Sequence, residues 1–215
     1  MENCVKTLPS AYREVLHIDA TKKKLGFLLN GIALVVMIAV LAVVLPTANY
    51  AAFSKSTEKP WQLVLWLAFC WASLLVYMVL HELVHGVAYK VLTKEKLTFG
   101  LRWSCAFCGV PNVYVNRKTA LIALLAPFTV FTLLFLPLTI WSGITGSIWY
   151  IPLGVLLGSH LGGCSGDLYM TALLVFKYRA SDLLVRDTGP EQFLYLPLQE
   201  ELAKEEEKEN GETAQ

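Results

Sequence analysis

The segment LLVYMVLHELVH, residues 74–85, lies within a longer apolar stretch from Trp61 to about Val91. This stretch exceeds the about 20 residues that a helix needs to cross a hydrocarbon core about 30 Å thick. Five consecutive residues of this stretch contain three ionisable side chains, at His81, Glu82 and His85. Each costs about 2.5 kcal/mol or more at membrane depth, so together they require a compensating partner such as a metal. The segment predicts a transmembrane helix that carries a polar site.

Composition and three further apolar stretches indicate the fold class. Only 16% of the residues are charged, whereas a soluble domain has about 25%. Stretches long enough to cross a membrane are Leu25 to Pro46, Trp61 to about Val91, Thr119 to Trp141 and Ile148 to Phe176. We predict an α-helical integral membrane protein with an N-terminal arm (1–24), a membrane domain of about four transmembrane helices (25–176) and a C-terminal tail (177–215).

The distribution of Lys and Arg predicts the orientation in the membrane. The N-terminal arm, the loop after the second stretch and the segment after the fourth are rich in these residues. The loop between the first two stretches has only Lys55 and Lys59, and the loop from Ser142 to Ser147 has none. Because cytoplasmic loops retain positive charge, we predict a multi-pass protein of the cell membrane with both termini in the cytoplasm. The arm lacks the pattern of a cleaved signal peptide.

Net charge and cysteine usage argue against two classes of protein. The formal net charge is +1, so no basic field indicates nucleic acid as a partner. Five cysteines are too few and too scattered for a disulfide framework, and we expect reduced thiols. Cys105 and Cys108 form a lone C-x-x-C without a second pair, and their role stays open.

The loop from Leu97 to Val115 predicts a small cytoplasmic β-hairpin. Residues 97–103 and 113–115 are β-prone, and Gly109-Val110-Pro111-Asn112 between them is typical of a turn. The edge of such a hairpin is one place where an extended substrate strand adds. The Glu- and Lys-rich run from Gln199 to Gln215 predicts a frayed helix or a disordered tail.

His81, Glu82 and His85 form an H-E-x-x-H pattern. Helical residues four apart share a face, so the two imidazoles converge on one ion with Glu82 beside them. Zinc hydrolases use this arrangement, in which neutral imidazoles hold the metal and a carboxylate takes a proton from the attacking water. The pattern predicts a zinc site with Glu82 as general base. The extended motif of soluble metzincins is absent, because Ala88 and Val91 stand where that motif has Gly and His.

A third protein ligand must come from another segment. His160 and Asp167, in the fourth apolar stretch, are the candidates. On straight helices, the midpoint of the two motif histidines lies about 10 Å from the cytoplasmic end, Asp167 about 15 Å and His160 about 25 Å. Depth therefore favours Asp167. His160 stays a candidate for orienting a ligand, contacting substrate, or reaching the metal where the helix unwinds.

Four glycines recur with a four-residue period in the same stretch, at Gly154, Gly158, Gly162 and Gly166. A ridge without side chains lets another helix approach closely. We expect this approach to bring Asp167 to the histidines of the second stretch.

The segments HELVHG (81–86), APF (126–128) and SHLGGCSGD (159–167) resemble the Putative zincin peptidase family of bacterial membrane proteins, known as a domain of unknown function. The resemblance runs from about Leu63 to Asp187. More distantly, the order of the motifs is similar to that of the site-2 proteases. The resemblance implies zinc as the cofactor, Glu82 as the catalytic base, and three metal ligands, His81, His85 and Asp167.

These observations favour a zinc metallopeptidase that hydrolyses a membrane or membrane-adjacent protein, with the lipid bilayer as its surroundings. A non-catalytic, zinc-stabilised membrane scaffold or regulatory protein and a transporter are the alternatives, and a homo-oligomer stays open. Glu82 separates the first two functions. Four protein ligands normally close a structural zinc site, whereas three ligands and an adjacent carboxylate are typical of a catalytic one.

Overall fold

The computed structural model describes residues 3–19, 22–102 and 105–198, so the predicted tail from Gln199 to Gln215 lies outside the described residues. The chain divides into two compact units. The helical unit comprises Lys22–Val84 and Leu124–Tyr169, and the mixed unit comprises Met1–Thr21, His85–Ala123 and Met170–Gln215.

The helices are α1 (Lys23–Val44), α2 (Tyr50–Ser56), α3 (Pro60–Thr93), α4 (Arg117–Ile144), α5 (Tyr150–Gly163) and α6 (Ser165–Ala172), with a π-helical turn at Leu173–Lys177. The strands are β1 (Cys4–Val5), β2 (Tyr12–Asp19), β3 (Thr98–Arg102), β4 (Cys105–Gly109), β5 (Tyr114–Asn116), β6 (Leu184–Asp187) and β7 (Glu191–Pro197). The chain passes from one unit to the other within α3, α4 and α6.

Among the described residues, three helices are long and apolar enough to cross a membrane, namely α1, α3 and α4. Large apolar side chains point outward along them, including Phe27, Val35 and Trp71, which are 77%, 66% and 68% exposed. Apolar surface of this extent suits lipid rather than water. The length and composition of these helices suggest a membrane protein, as the sequence predicted.

The predicted fourth membrane stretch is divided into α5, α6 and the π-helical turn. The break lies at Cys164, whose N–H donates to the carbonyl of His160 at 3.0 Å. Gly162 and Gly163 end α5, and glycine is a poor helix former because it loses the most backbone entropy. His160 therefore belongs to α5 and Asp167 to the first turn of α6. The depth comparison assumed one straight helix and does not apply to this pair, and the count of four spans stays a prediction.

The glycine ridge packs tightly, and the atoms nearest to it belong to α1. A Cβ at Gly154 would lie 2.8 Å from Val44, one at Gly158 would lie 2.7 Å from Met37, and one at Gly162 would lie 2.7 Å from the Ala33 carbonyl oxygen. The close approach that the period predicted is present. The expectation that it brings Asp167 to the histidines of α3 was wrong about the partner helix, because the period reveals only that a face is bare.

Gly162→Ala should lower the free energy of unfolding of the protein by about 1 to 3 kcal/mol. The added methyl group meets the backbone of Ala33, including its Cα at 3.0 Å, and backbone cannot rotate away. Gly163→Ala is the matched control, because a Cβ there meets nothing within 4 Å. Thermal unfolding of the two variants in detergent tests this packing. Equal stability of the two would contradict it.

The mixed unit contains an antiparallel five-stranded sheet in the order β1-β5-β6-β7-β2. Its longest pairing joins the N-terminal arm to the segment after the last helix, with Tyr12 opposite Pro197 and Asp19 opposite Glu191. Hydropathy and charge predicted an arm and a tail here and no sheet. The strands are short and come from three distant parts of the chain, so none of them carries a local signal of its partner.

The predicted hairpin is present, but its strands are β3 and β4. Thr98 lies opposite Gly109 and Phe99 opposite Cys108. The turn sequence at residues 109–112 leads instead from β4 towards β5, which pairs with β1 and β6 in the larger sheet. A Cβ at Gly109 would collide with the backbone of Thr188 and Gly189, so only glycine fits this close approach.

A buried carboxylate attaches the end of β6 to the C-terminal part of α3. Asp187 is 3% exposed. It accepts hydrogen bonds from the Tyr89 hydroxyl at 2.7 Å, the Gly189 N–H at 2.8 Å and the Gln192 amide at 3.3 Å. Burial raises the pKa of Asp187 to about 6, and these three hydrogen bonds oppose that rise. At neutral pH the group is therefore mostly a carboxylate that holds α3 and the β6–β7 turn together.

Candidate metal centre

His81 lies on α3 within the helical unit, between two polar groups. Its Nδ1 lies 3.0 Å from the Tyr77 hydroxyl, one helical turn earlier. Its Nε2 lies 3.3 Å from Oδ2 of Asp167, at the start of α6. His81 is 9% exposed. The structure thus brings together two of the three predicted ligands, and the carboxylate approaches the nitrogen on the side away from Tyr77.

His160 lies on the other side of the Tyr77 hydroxyl and is fully buried. Its Nδ1 is 3.0 Å from that hydroxyl, and its Nε2 is 3.0 Å from Oγ1 of Thr132. Two assignments of donors satisfy this chain of atoms. In one, Thr132 donates to His160, His160 to Tyr77 and Tyr77 to His81 Nδ1, so that His81 Nε2–H donates to Asp167. In the other, all three donors are reversed, and the lone pair of His81 is on Nε2, as a metal bonded at that nitrogen requires.

Aromatic rings surround this hydrogen-bonded chain. The rings of Phe131 and Phe135 lie 5.2 and 5.6 Å from that of Tyr77, and that of Phe128 lies 6.0 Å from His160. Tyr77, Phe131, Phe135 and Leu157 form the buried apolar cluster of the helical unit. Apolar surroundings strengthen hydrogen bonds and penalise unpaired polar groups. The orientation of His81 is therefore held firmly.

A second group of metal-ligating types shares His81. The ligand atoms of His81, His160 and Cys164 lie within 4.8 Å of one another, and all three residues are buried. The Cys164 sulfur is 3.6 Å from Nδ1 of His160. His160 therefore stays a candidate for a role at the site, because its ligand atom lies close to that of His81.

His85 follows His81 by four residues on the continuous helix α3, which gives the two imidazoles one common face. In the mixed unit, Nδ1 of His85 lies 2.8 Å from the backbone carbonyl oxygen of Ala123 on α4. A carbonyl only accepts, so Nδ1 carries the proton and the lone pair of the neutral ring is on Nε2. That tautomer is the one a metal ligand bonded through Nε2 requires.

Glu82 lies between the two histidines on α3 and is half-buried. The glycine that follows the motif has a packing role. A Cβ at Gly86 would lie 2.6 Å from the ring of Phe99 on β3, so a side chain there would force that ring to move. The hairpin therefore lies against the turn of α3 that follows the motif.

Comparison with protein families gives a match over residues 74–181 to the family described as Putative zincin peptidase. The chain belongs to this family. The matched segment contains every predicted site residue: Glu82 as base, His81, His85 and Asp167 as ligands, and His160. Membership of the family implies zinc and supports metallopeptidase activity. Comparisons with curated proteins and with solved structures found no match, and the distant similarity to site-2 proteases stays a prediction.

Sequence reasoning missed three groups that contact the predicted residues: the Tyr77 hydroxyl, the Thr132 hydroxyl and the Ala123 carbonyl. A signal for Tyr77 was available, because it precedes His81 by four residues and so shares its helix face. Thr132 is one of several hydroxyl residues on α4 and has no such signal. The Ala123 carbonyl is backbone, which a residue pattern does not reveal.

Proposed function

We propose that this protein is a membrane-embedded zinc metallopeptidase, in which His81, His85 and Asp167 hold the metal and Glu82 is the general base. The observation that carries the proposal is the contact of 3.3 Å between Nε2 of His81 and the Asp167 carboxylate. A carboxylate from a distant segment thereby meets the first histidine of an H-E-x-x-H motif. Two imidazoles and a carboxylate are a ligand set of catalytic zinc sites.

The hydrogen bonds around the imidazoles support zinc as the metal. Tyr77 engages Nδ1 of His81, and the Ala123 carbonyl engages Nδ1 of His85. Both rings can then coordinate through Nε2, and zinc-ligating histidines characteristically give their other nitrogen to such a partner. The donor set fits zinc better than magnesium or calcium, which prefer oxygen ligands.

Zinc held by these residues would supply Lewis-acid chemistry: it would polarise a carbonyl and lower the pKa of water so that the water can lose a proton and attack near neutral pH. The protein supplies the proton transfers. Glu82, next to His81 on α3, takes a proton from the attacking water and delivers it to the amine that leaves when the peptide bond breaks. Tyr77 and the Ala123 carbonyl hold the two imidazoles in place during these steps.

We further propose that α1, α3, α4 and the broken fourth stretch cross the cell membrane, with both termini in the cytoplasm. The site residues of α3 are then nearer its cytoplasmic end, which Lys90 marks. The hairpin β3–β4 follows that end in the sequence, lies against the turn of α3 after the motif and exposes Phe99 and Leu101, 50% and 71% exposed. An extended substrate segment adding to this hairpin would reach the site from the cytoplasmic side.

One observation favours a second candidate, a zinc-stabilised scaffold. His160 and Cys164 lie close to His81 and offer the soft donors that are common in structural zinc sites. The two functions differ in two respects. A scaffold requires Cys164 for zinc binding and tolerates loss of the Glu82 carboxylate. A peptidase tolerates loss of Cys164 and requires the Glu82 carboxylate for hydrolysis.

The function is tested with the full-length protein in oriented membrane vesicles and a library of quenched fluorescent peptides. Inside-out vesicles, which present the cytoplasmic face, should cleave library peptides, and right-side-out vesicles should not. Phenanthroline, which crosses membranes, should abolish cleavage by removing zinc, and added zinc should restore it. Cleavage that persists without metal, or no cleavage by zinc-loaded protein in either orientation, would overturn the peptidase assignment.

A further inference from the structure

The hydrogen bond to His85 depends on an irregularity in α4. Proline lacks an N–H, so Pro127 cannot donate to the carbonyl four residues earlier, which is that of Ala123. In a segment surrounded by apolar groups, a carbonyl left without its helical donor costs several kcal/mol unless another donor replaces it. Nδ1 of His85 lies 2.8 Å from this carbonyl oxygen, and its N–H is such a donor.

We propose that Pro127 is a positioning residue for the metal site: it releases the Ala123 carbonyl from the helix so that this oxygen sets the tautomer and orientation of His85. The claim about zinc rests on the proposed function, in which His85 binds the metal through Nε2. The claim about the tautomer rests only on the missing N–H and the observed contact.

If Pro127 had only a structural role, its replacement should have a different effect. Proline in a helix interior is about 3 kcal/mol less favourable than alanine, so a proline that only bends α4 is replaced with a gain in stability and no effect on His85. A proline that exposes a carbonyl for His85 is replaced at the cost of metal binding. The two roles can be distinguished, because only the positioning role predicts that stability and zinc affinity change in opposite directions.

Pro127→Ala restores an N–H that competes with His85 for the Ala123 carbonyl. Zinc affinity should fall about 10- to 100-fold, the range seen when a hydrogen-bond partner of a metal-bound histidine is lost. The thermal stability of the zinc-free protein should be equal or higher. Zinc affinity is measured by competition with a chelating dye in detergent, and Pro127→Ser gives a second variant with a restored N–H and a small side chain.

Pro137→Ala is the matched control, because Pro137 also lies within α4. Its replacement restores the N–H towards Leu133, about 15 Å further along the helix than Ala123. Zinc affinity should be that of the parent.

Nitrogen NMR of protein labelled at histidine reads the tautomer directly, and the chain has only four histidines. In the zinc-free parent, His85 should carry its proton on Nδ1, and in Pro127→Ala the proton should be shared between Nδ1 and Nε2. An unchanged tautomer together with unchanged zinc affinity would overturn the inference. If the parent bound no zinc, the proposed function would fail, and the tautomer measurement would still decide the role of Pro127.

Discussion

Glu82→Gln is expected to lower the rate of peptide hydrolysis by about 10²- to 10⁴-fold, the contribution of a positioned general base. The amide keeps the size of the side chain but cannot take a proton from water. Because Glu82 is proposed as a base and not a ligand, the variant should keep its zinc and its thermal stability. The measurements are kcat on a cleaved library peptide, zinc content and the unfolding temperature.

Asp167→Asn is the comparison that gives this result its meaning. The Asp167 carboxylate lies 3.3 Å from Nε2 of His81, and an amide is a poor replacement for an anionic ligand. This variant should lose both hydrolysis and zinc. Should Glu82→Gln lose its zinc as readily as Asp167→Asn, Glu82 would hold or support the metal, and its assignment as the general base would be wrong.

Purified protein should contain about one zinc per chain, and His81→Ala or His85→Ala should remove it. The binding free energy of a four-ligand zinc site is about 10 to 16 kcal/mol, or roughly 3 kcal/mol per ligand, so each loss should weaken binding by on the order of 100-fold or more. Metal analysis after dialysis against a weak chelator measures this effect directly.

Two controls accompany these variants. His17→Ala removes a histidine that lies on β2 and bonds to Glu191 at 3.1 Å, and it should keep the zinc. Cys164→Ala should also keep it, because the peptidase uses Asp167 and not the sulfur as the third ligand. Zinc that survives both motif substitutions would refute the metal site, and zinc lost from Cys164→Ala would favour the His160 and Cys164 group.

The fourth apolar stretch shows which structural features residue patterns predict and which they do not. Its four-residue glycine period predicted a tight helix contact, and the contact is present. The partner was not predictable, because a bare face accepts any helix and only the assembled fold selects α1. Gly163, which follows the periodic Gly162, ends α5. Hydropathy alone does not detect that break, and the break moved Asp167 onto a helix of its own.

The five-stranded sheet is the largest part of the fold that the sequence did not predict. The β2–β7 pairing joins residues 12–19 to residues 191–197, and such pairing depends on contacts that no window of sequence contains. The loop region was partly predictable. Its β-prone residues form strands as expected, but the turn at residues 109–112 separates β4 from β5 and does not close the hairpin.

The amino-acid sequence by itself determined the apolar helices and the H-E-x-x-H pattern, because helical periodicity, hydropathy and the spacing of His81 and His85 are local properties. The tertiary structure decided which groups meet these residues. Asp167 reaches Nε2 of His81, Tyr77 links His81 to His160, and the Ala123 carbonyl accepts from His85. The physical reason is that ligands and their hydrogen-bond partners come from separate segments, and only packing of the chain sets their distances.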